Sequence, residues 1–417
     1  MTKTLYPHQK RFLDKNPDRA MLVWEMQTGK TLTACEWIKK RSKIKILIAC
    51  PLSIIEKWKR DLSEVGAKAD VVSRDGIKKI DLSKYGGIVL DEAQDFLSPC
   101  FTKQRSARTT AVYNFIRQNP GAHVLLLTAT PIRSTSWNCH TAGCFLGTLW
   151  PVKEWQNKFF YLTNKFGRYH MEPSKNWRKD IRPYLESISD IVLARDCKEI
   201  PKNNHTVINV GWTKEQEESL KGQYLEPSAE FNARHRAEQS DAKWEKIKEI
   251  MDGYRKVILV VYYRSQIEDY IKRIGNDRQV FVLHGGIKNK DEVIEQAKAS
   301  DDAIFILQAG MGMGFSASEF SVMIFASMSF KYVDYIQSTG RMNSLENIHE
   351  NNYIYMIGGK VDMNVYKTIM LGHDFNPHKY MLECNYGSTP TTTESIGQGG
   401  GGCNNEGTGL DEQTSPF

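Results

Sequence analysis

Cysteine is scarce in this chain of 417 residues. There are 8, at positions 35, 50, 100, 139, 144, 197, 384 and 403, and none forms a Cys-x-x-Cys pair. That excludes the disulfide framework on which small secreted domains rely. The tightest group, Cys139, His140 and Cys144, has no further ligand at a metal-binding spacing. Its thiols therefore read as buried or incidental. Long apolar runs are also missing: no uncharged stretch approaches the roughly 18 residues needed to cross a bilayer. The opening MTKTLYPHQKRF has no apolar segment of a signal peptide. The expected place is the cytoplasm of a bacterial or phage-infected cell, or another intracellular compartment, with no membrane partner. Hydrophobic residues make up 41% and charged residues 25%, a globular balance that excludes wholesale disorder and fibrous repeats.

Lys and Arg are absent from the last 33 residues, which hold Glu394, Glu406, Asp411 and Glu412 and so carry −4 of a net +7. The preceding body carries +11 and suits a polyanionic partner such as nucleic acid. Residues 385–417 are rich in Gly, Thr and Ser and hold little that could pack, so they read as a flexible acidic tail. The tail ends Pro416-Phe417 after Asp411 and Glu412. Such an end suits docking into a basic apolar pocket on a protein partner, or lying over the chain's own basic groove; a plain solubilising tail is the simpler reading.

What is present is alternation. Short apolar, β-branched runs recur at 20–24, 44–50, 87–91 and 123–128, with helix-like stretches at 31–41 and 54–62 between them. Near-continuous apolar strands alternating with helices predict a parallel sheet covered on both faces. The pattern breaks at 134–200, an aromatic-rich stretch with Trp137, Trp150, Trp155 and Trp177, read as a helical elaboration that packs on the first unit. Alternation resumes at 257–263, 279–285, 303–310, 322–327 and 353–359. The expected fold class is α/β: a first lobe over 1–200, a second over 201–384, and the tail over 385–417.

Three strand ends carry chemistry. Gln27-Thr28-Gly29-Lys30-Thr31 follows a strand and opens a helix, the setting in which backbone N–H groups cradle a phosphate. Lys30 would reach the β- and γ-phosphates, and the Thr31 hydroxyl would hold Mg²⁺. The first Gly of the full phosphate-loop signature would fall at 24, where Trp24 stands. Asp91-Glu92-Ala93-Gln94 ends the strand at 87–91. Asp91 would hold Mg²⁺, and Glu92 would orient and deprotonate the attacking water. Thr128-Ala129-Thr130-Pro131 ends the strand at 123–128.

Together these motifs resemble a superfamily 2 helicase with two RecA-like lobes, over roughly residues 5–360. Further details resemble its Swi/Snf-like branch: Tyr6 and Gln9 near the start, Pro51, Ser53 and Trp58, and a Gly-rich run at 308–315. Gln337-Ser338-Thr339-Gly340-Arg341 matches the branch's Gln-x-x-Gly-Arg element. The resemblance implies ATP with Mg²⁺ as cofactor. It implies that Gln9 reads adenine with Tyr6 beside it, and that Gly312 and Gly314 contact nucleotide. It also implies that Gln337 and Arg341 face the γ-phosphate, and that Gln94 couples the site to Thr128, Ala129 and Thr130. Ser344 stands where the family's second Arg is expected, and Gln94 replaces the commoner His.

Tracking a backbone calls for cations and N–H groups at strand ends. Ser53, Lys57, Arg133, Arg264, His284 and Lys331 are the candidates. The expected function is an ATP-dependent translocase or helicase on duplex or branched DNA, of bacterial or phage type, in replication, recombination or repair. An RNA-dependent ATPase is the second reading, and single-stranded DNA or RNA the second substrate. A scaffold that binds nucleic acid and hydrolyses ATP weakly is the third.

Overall fold

The computed structural model describes residues 4–101, 105–132, 135–165, 168–197, 202–211, 240–311, 315–342 and 349–377. In the first lobe α1 (Pro7–Lys15) leads into β1 (Arg19–Trp24) and α2 (Lys30–Lys39). Then come β2 (Ile46–Cys50), α3 (Ile55–Val65), β3 (Asp70–Ser73), β4 (Gly87–Asp91), α4 (Ala107–Gln118) and β5 (His123–Thr128). The elaboration follows: α5 (Trp137–Leu146), α6 (Val152–Phe159), β6 (Phe160–Lys165), β7 (Arg168–Pro173), α7 (Trp177–Ile188) and β8 (Asp190–Val192). The second lobe comprises β9 (Asn203–Asn209), α8 (Asp241–Asp252), β10 (Lys256–Val261), α9 (Arg264–Ile274), β11 (Val280–Leu283) and α10 (Lys290–Ala299). It ends with β12 (Ala303–Gln308), β13 (Val322–Phe325), α11 (Tyr332–Thr339), β14 (Asn351–Ile357) and α12 (Lys360–Met370).

The first sheet runs β3-β2-β4-β5-β1-β8 and the second β11-β12-β10-β13-β14-β9. Every neighbouring pair in both is parallel. The two-lobe α/β expectation is borne out. Period-two alternation splits each sheet between two cores. Met21, Val23, Leu47, Leu90 and Leu126 face one side of the first sheet, while Leu22, Trp24, Ile48, Val89 and Leu127 face the other. Val260, Phe305 and Phe325 of the second sheet are divided in the same way from Leu259, Ile306 and Ile324. Each large apolar side chain so buried contributes on the order of 1.5–3 kcal/mol.

In the elaboration Trp137, Trp155, Phe159 and Trp177 are buried and join the first core, which is the packing role expected of them. The layer is not wholly helical, however. β6 and β7 form an antiparallel hairpin, with Tyr161, Leu162 and Met171 exposed. The alternating FYLTNK segment favours strand over helix. Among the described residues no helix is long and apolar enough to cross a membrane. Arg133, Gly312, Gly314, Ser344 and the tail to Pro416 and Phe417 lie outside the described residues.

Candidate active site

Strands β4, β5 and β1 are adjacent in the sheet and parallel, so their C-terminal ends meet along one edge. In an open α/β sheet that edge is where ligands sit. The Asp91, Thr128 and Lys30 motifs, distant in sequence, are neighbours for this reason.

The phosphate loop turns through two left-handed residues, Gln27 at φ +61° and Gly29 at φ +86°. A Cβ on Gly29 would stand 2.2 Å from Gln9 Nε2, so both conformation and space call for glycine there. Gln9 is fully buried. Its Nε2 donates to the Gly29 carbonyl at 3.0 Å, and its Oε1 accepts from the Tyr6 backbone at 2.7 Å. His8 Nε2 lies 2.8 Å from the Thr28 carbonyl, and Tyr6 stacks beside His8 at 5.7 Å. Helix α1 thus straps the loop from outside. Trp24, at the position of the missing Gly, is a core residue; its indole donates to Asp190 at 2.8 Å, where β8 borders β1. The Thr28 hydroxyl donates to the Glu25 carbonyl at 2.8 Å.

Lys30 Nζ donates to the carbonyls of Trp24 and Glu25 at 2.7 and 2.8 Å. Burial pushes its ammonium down to about 8, against the opposing pull of Glu92, Asp91 and Glu25. Asp91 is pushed up to about 6 by burial and then by the Glu92 charge, while a hydrogen bond from Trp58 works the other way. That Trp58 Nε1 bond to Asp91 Oδ2 is 2.8 Å long. Trp58 was legible as a motif residue but not as a partner of the acid. Cys50, at the end of β2, is pushed up to about 12 by burial and by Asp91.

Glu92 adopts φ +53°, a left-handed turn that sets its carboxylate beside Gln94. Gln94 Nε2 donates to Glu92 at 2.6 Å. Its Oε1 accepts from the Thr128 hydroxyl at 2.7 Å, and that hydroxyl accepts from the Thr130 backbone at 2.9 Å. A continuous path therefore runs from the acid to the β5 end, past Ala129. A titratable His is not required to make it.

The second lobe meets this edge through the turn after α11. Gln27 Nε2 donates to the Gly340 carbonyl at 2.8 Å, and Arg341 Nη2 lies 3.9 Å from Met26 Sδ. Arg341 also donates to the carbonyls of Gln337 and Phe315 at 2.9 and 2.7 Å. Burial pushes its guanidinium down to about 10, and the Glu92 charge opposes this across the cleft. Gln337 is buried behind it. Neither the Gln27–Gly340 bond nor the Met26 contact has a signal in the sequence.

The candidates for nucleic-acid contact lie on other strand ends. Ser53 and Lys57 are exposed after β2, Arg264 and Lys331 are exposed after β10 and β13, and His284 is half-buried after β11. His284 Nδ1 accepts from the Gly286 backbone at 3.0 Å, and Arg264 Nη2 would stand 3.6 Å from a Cβ built on the same glycine. The oxygen donors of Thr31 and Asp91 suit a hard divalent cation such as Mg²⁺, and an acid destabilised by burial beside a second carboxylate favours one.

Residues 242–344 match the family profile described as helicase conserved C-terminal domain. An uncharacterized ATP-dependent helicase of Bacillus subtilis (strain 168), YqhH, is 28% identical over 160 residues, covering 31% of this chain and 27% of that protein. The chain thus spans about a quarter of the length of that curated relative. The Sulfolobus solfataricus SWI2/SNF2 ATPase core in complex with dsDNA is 16% identical, with a TM-score of 0.40, covering 93% of this chain and 94% of that one.

Proposed function

From the match of residues 242–344 to the helicase conserved C-terminal domain profile, we propose that this chain is an ATP-dependent translocase or helicase acting on duplex or branched DNA. The observation that carries the proposal is the cleft itself. Lys30, Asp91 and Glu92 line one side, and Arg341 faces them from the other lobe within reach of the Glu92 charge.

ATP would lie between the lobes. Lys30 would exchange its two carbonyl partners for phosphate oxygens. Mg²⁺, held by Thr31 and Asp91, would neutralise charge developing on those oxygens. Glu92 accepts a proton from the attacking water, and Arg341 stabilises charge on the γ-phosphoryl group. Gln9 and Tyr6 flank the base end. The path Glu92–Gln94–Thr128–Thr130 links the acid to the edge of the sheet. Because the γ-phosphate would touch both lobes, its presence favours closure and its loss favours opening. With Ser53 and Lys57 on one lobe and Arg264, His284 and Lys331 on the other, alternate closure moves one backbone grip relative to the other. The division at 200/201 and 384/385 is part of this proposal.

The test is steady-state ATP hydrolysis by the full chain, alone and with duplex, forked and single-stranded DNA and RNA, beside Lys30→Ala. Stimulation by duplex or forked DNA that disappears in Lys30→Ala supports the reading. Stimulation by RNA alone transfers the activity to RNA. Tight DNA binding without turnover leaves a scaffold.

A further inference from the structure

Outside the cleft, one group of side chains has no part in the proposed chemistry. Cys100, His140 and Cys144 bring their ligand atoms within 4.8 Å of one another. Cys100 and His140 are buried, and Cys144 is half-buried. His140 and Cys144 stand four apart on α5, hence on one helix face. Cys100 arrives from the segment that follows the Asp91–Gln94 turn, forty residues earlier. Cys139, the member suggested by sequence proximity, points elsewhere: it is fully buried in the first core.

Three features give this group the form of a built site. His140 Nε2 lies 2.9 Å from the Trp150 carbonyl. A carbonyl can only accept, so Nε2 carries the proton and Nδ1 presents its lone pair. That Nδ1 faces Cys144 Sγ at 3.8 Å, and a backbone partner of this kind on the far nitrogen orients ligating histidines. Second, the two segments are already held together without a metal. The Thr141 hydroxyl donates to the Ser98 carbonyl at 3.0 Å and accepts from the Cys100 backbone at 3.2 Å. Asn138 donates to the Leu97 carbonyl at 2.9 Å. Third, the spacing is right. Bonds of about 2.3 Å to sulfur and 2.0–2.1 Å to nitrogen place tetrahedral ligand atoms a little under 4 Å apart, a small contraction from the arrangement present.

We propose that Cys100, His140 and Cys144 bind a Zn²⁺ ion, with the fourth position open to water. Two sulfurs and an imidazole select a borderline or soft cation over Mg²⁺. The ion would clip the segment after the acid motif to the helix that follows Thr128–Thr130, tying together two of the three strand ends that build the cleft. The proposal is independent of the reaction assigned to that cleft.

The test uses the full chain. Zinc content is measured after purification without chelator, and the metal-stripped chain is titrated with Co²⁺, whose thiolate charge-transfer absorption separates this site from the oxygen donors at Asp91. Wild type and Cys139→Ser should each hold one equivalent and show the band. Cys100→Ser and Cys144→Ser should lose both, while their circular dichroism matches that of the metal-stripped wild type. Zn²⁺ should raise the melting temperature of wild type and Cys139→Ser alone. A wild-type chain that takes up no Zn²⁺, or Ser variants that both keep the ion and the band, would overturn the assignment. So would a Cys100–Cys144 disulfide that forms with Zn²⁺ present, read as a 2 Da mass loss.

Discussion

The two lobes share a six-stranded parallel sheet with two cores, yet they treat their strand ends differently. In the first lobe the ends of β1, β4 and β5 are knitted into closed hydrogen bonds: Lys30 to two carbonyls, Trp58 to Asp91, and Glu92 through Gln94 to Thr128. In the second lobe Arg264 and Lys331 stay exposed, and the residue that enters the cleft, Arg341, sits past the end of a helix and donates to neutral carbonyls. Apart from Lys30, whose two carbonyl bonds would give way to phosphate, the first lobe is preorganised by itself. The second contributes one cation whose effect depends on where its lobe stands. A preorganised network needs little reorganisation at the moment of reaction, whereas a group delivered by lobe closure can be withdrawn, as the proposed motor cycle requires.

The sharpest way to break this contrast is Arg341→Ala. Hydrolysis should fall by roughly 10³ or more, the scale of a transition-state arginine, with ATP affinity changed far less. Wild-type turnover in this variant would show that the second lobe adds nothing to the chemistry. Lys30→Ala strikes the preorganised side and should lower turnover by roughly 10²–10³ while also weakening nucleotide binding, so measuring kcat and nucleotide Kd together separates the lobes. Gln94→Ala leaves Glu92 and Thr128 each short of a partner, at about 1–3 kcal/mol apiece. Nucleic-acid-stimulated hydrolysis should drop more than the basal rate, and equal losses in both would refute a coupling role. Gly29→Ala imposes a left-handed alanine and displaces Gln9, for about 1–3 kcal/mol of stability. A denaturant melt reads it, and Gln9→Ala in the same chain should recover part of the loss.

The smallest effect is the most specific to burial. Asp91 lies above its ordinary value in the folded chain, at about 6. It therefore favours folding at low pH, and that contribution is lost as pH rises through about 6, beyond which a buried carboxylate is destabilising. Asp91→Asn should melt higher than wild type at pH 8 and alike at pH 4. The kcat/KM of wild type should fall below about 6 as Asp91 gains its proton. It should fall again above about 8 as Lys30 loses its own. A flat profile across that range would mean that neither ionisation governs the free chain.

Much of the cleft was legible in the residues. The runs at 20–24, 87–91 and 123–128 became β1, β4 and β5 nearly as drawn, because a strand buried on both faces must be continuously apolar. The turn residues after them stood out as clusters of Gly, Thr, Asp and Glu where apolar character stops. β3, β8 and the β6–β7 hairpin were not legible, being short or half-exposed segments whose strand state comes from pairing. Trp24 looked like a defect in the phosphate loop. The packing shows why it is tolerated: its indole fills the space under α1, against His8 and Phe12, and bonds Asp190.

By itself the sequence determined the local periods, the order of the motifs and the chemistry each can offer, since these depend on neighbours within a few residues. Tertiary structure alone decided which strand ends adjoin. It placed Gly340 against Gln27, and it gave His140 and Cys144 the partner Cys100 in place of Cys139. Those pairings depend on which faces of distant segments are buried together, and residues close in the chain, such as Cys139 and His140, can point into different surroundings on a single helix.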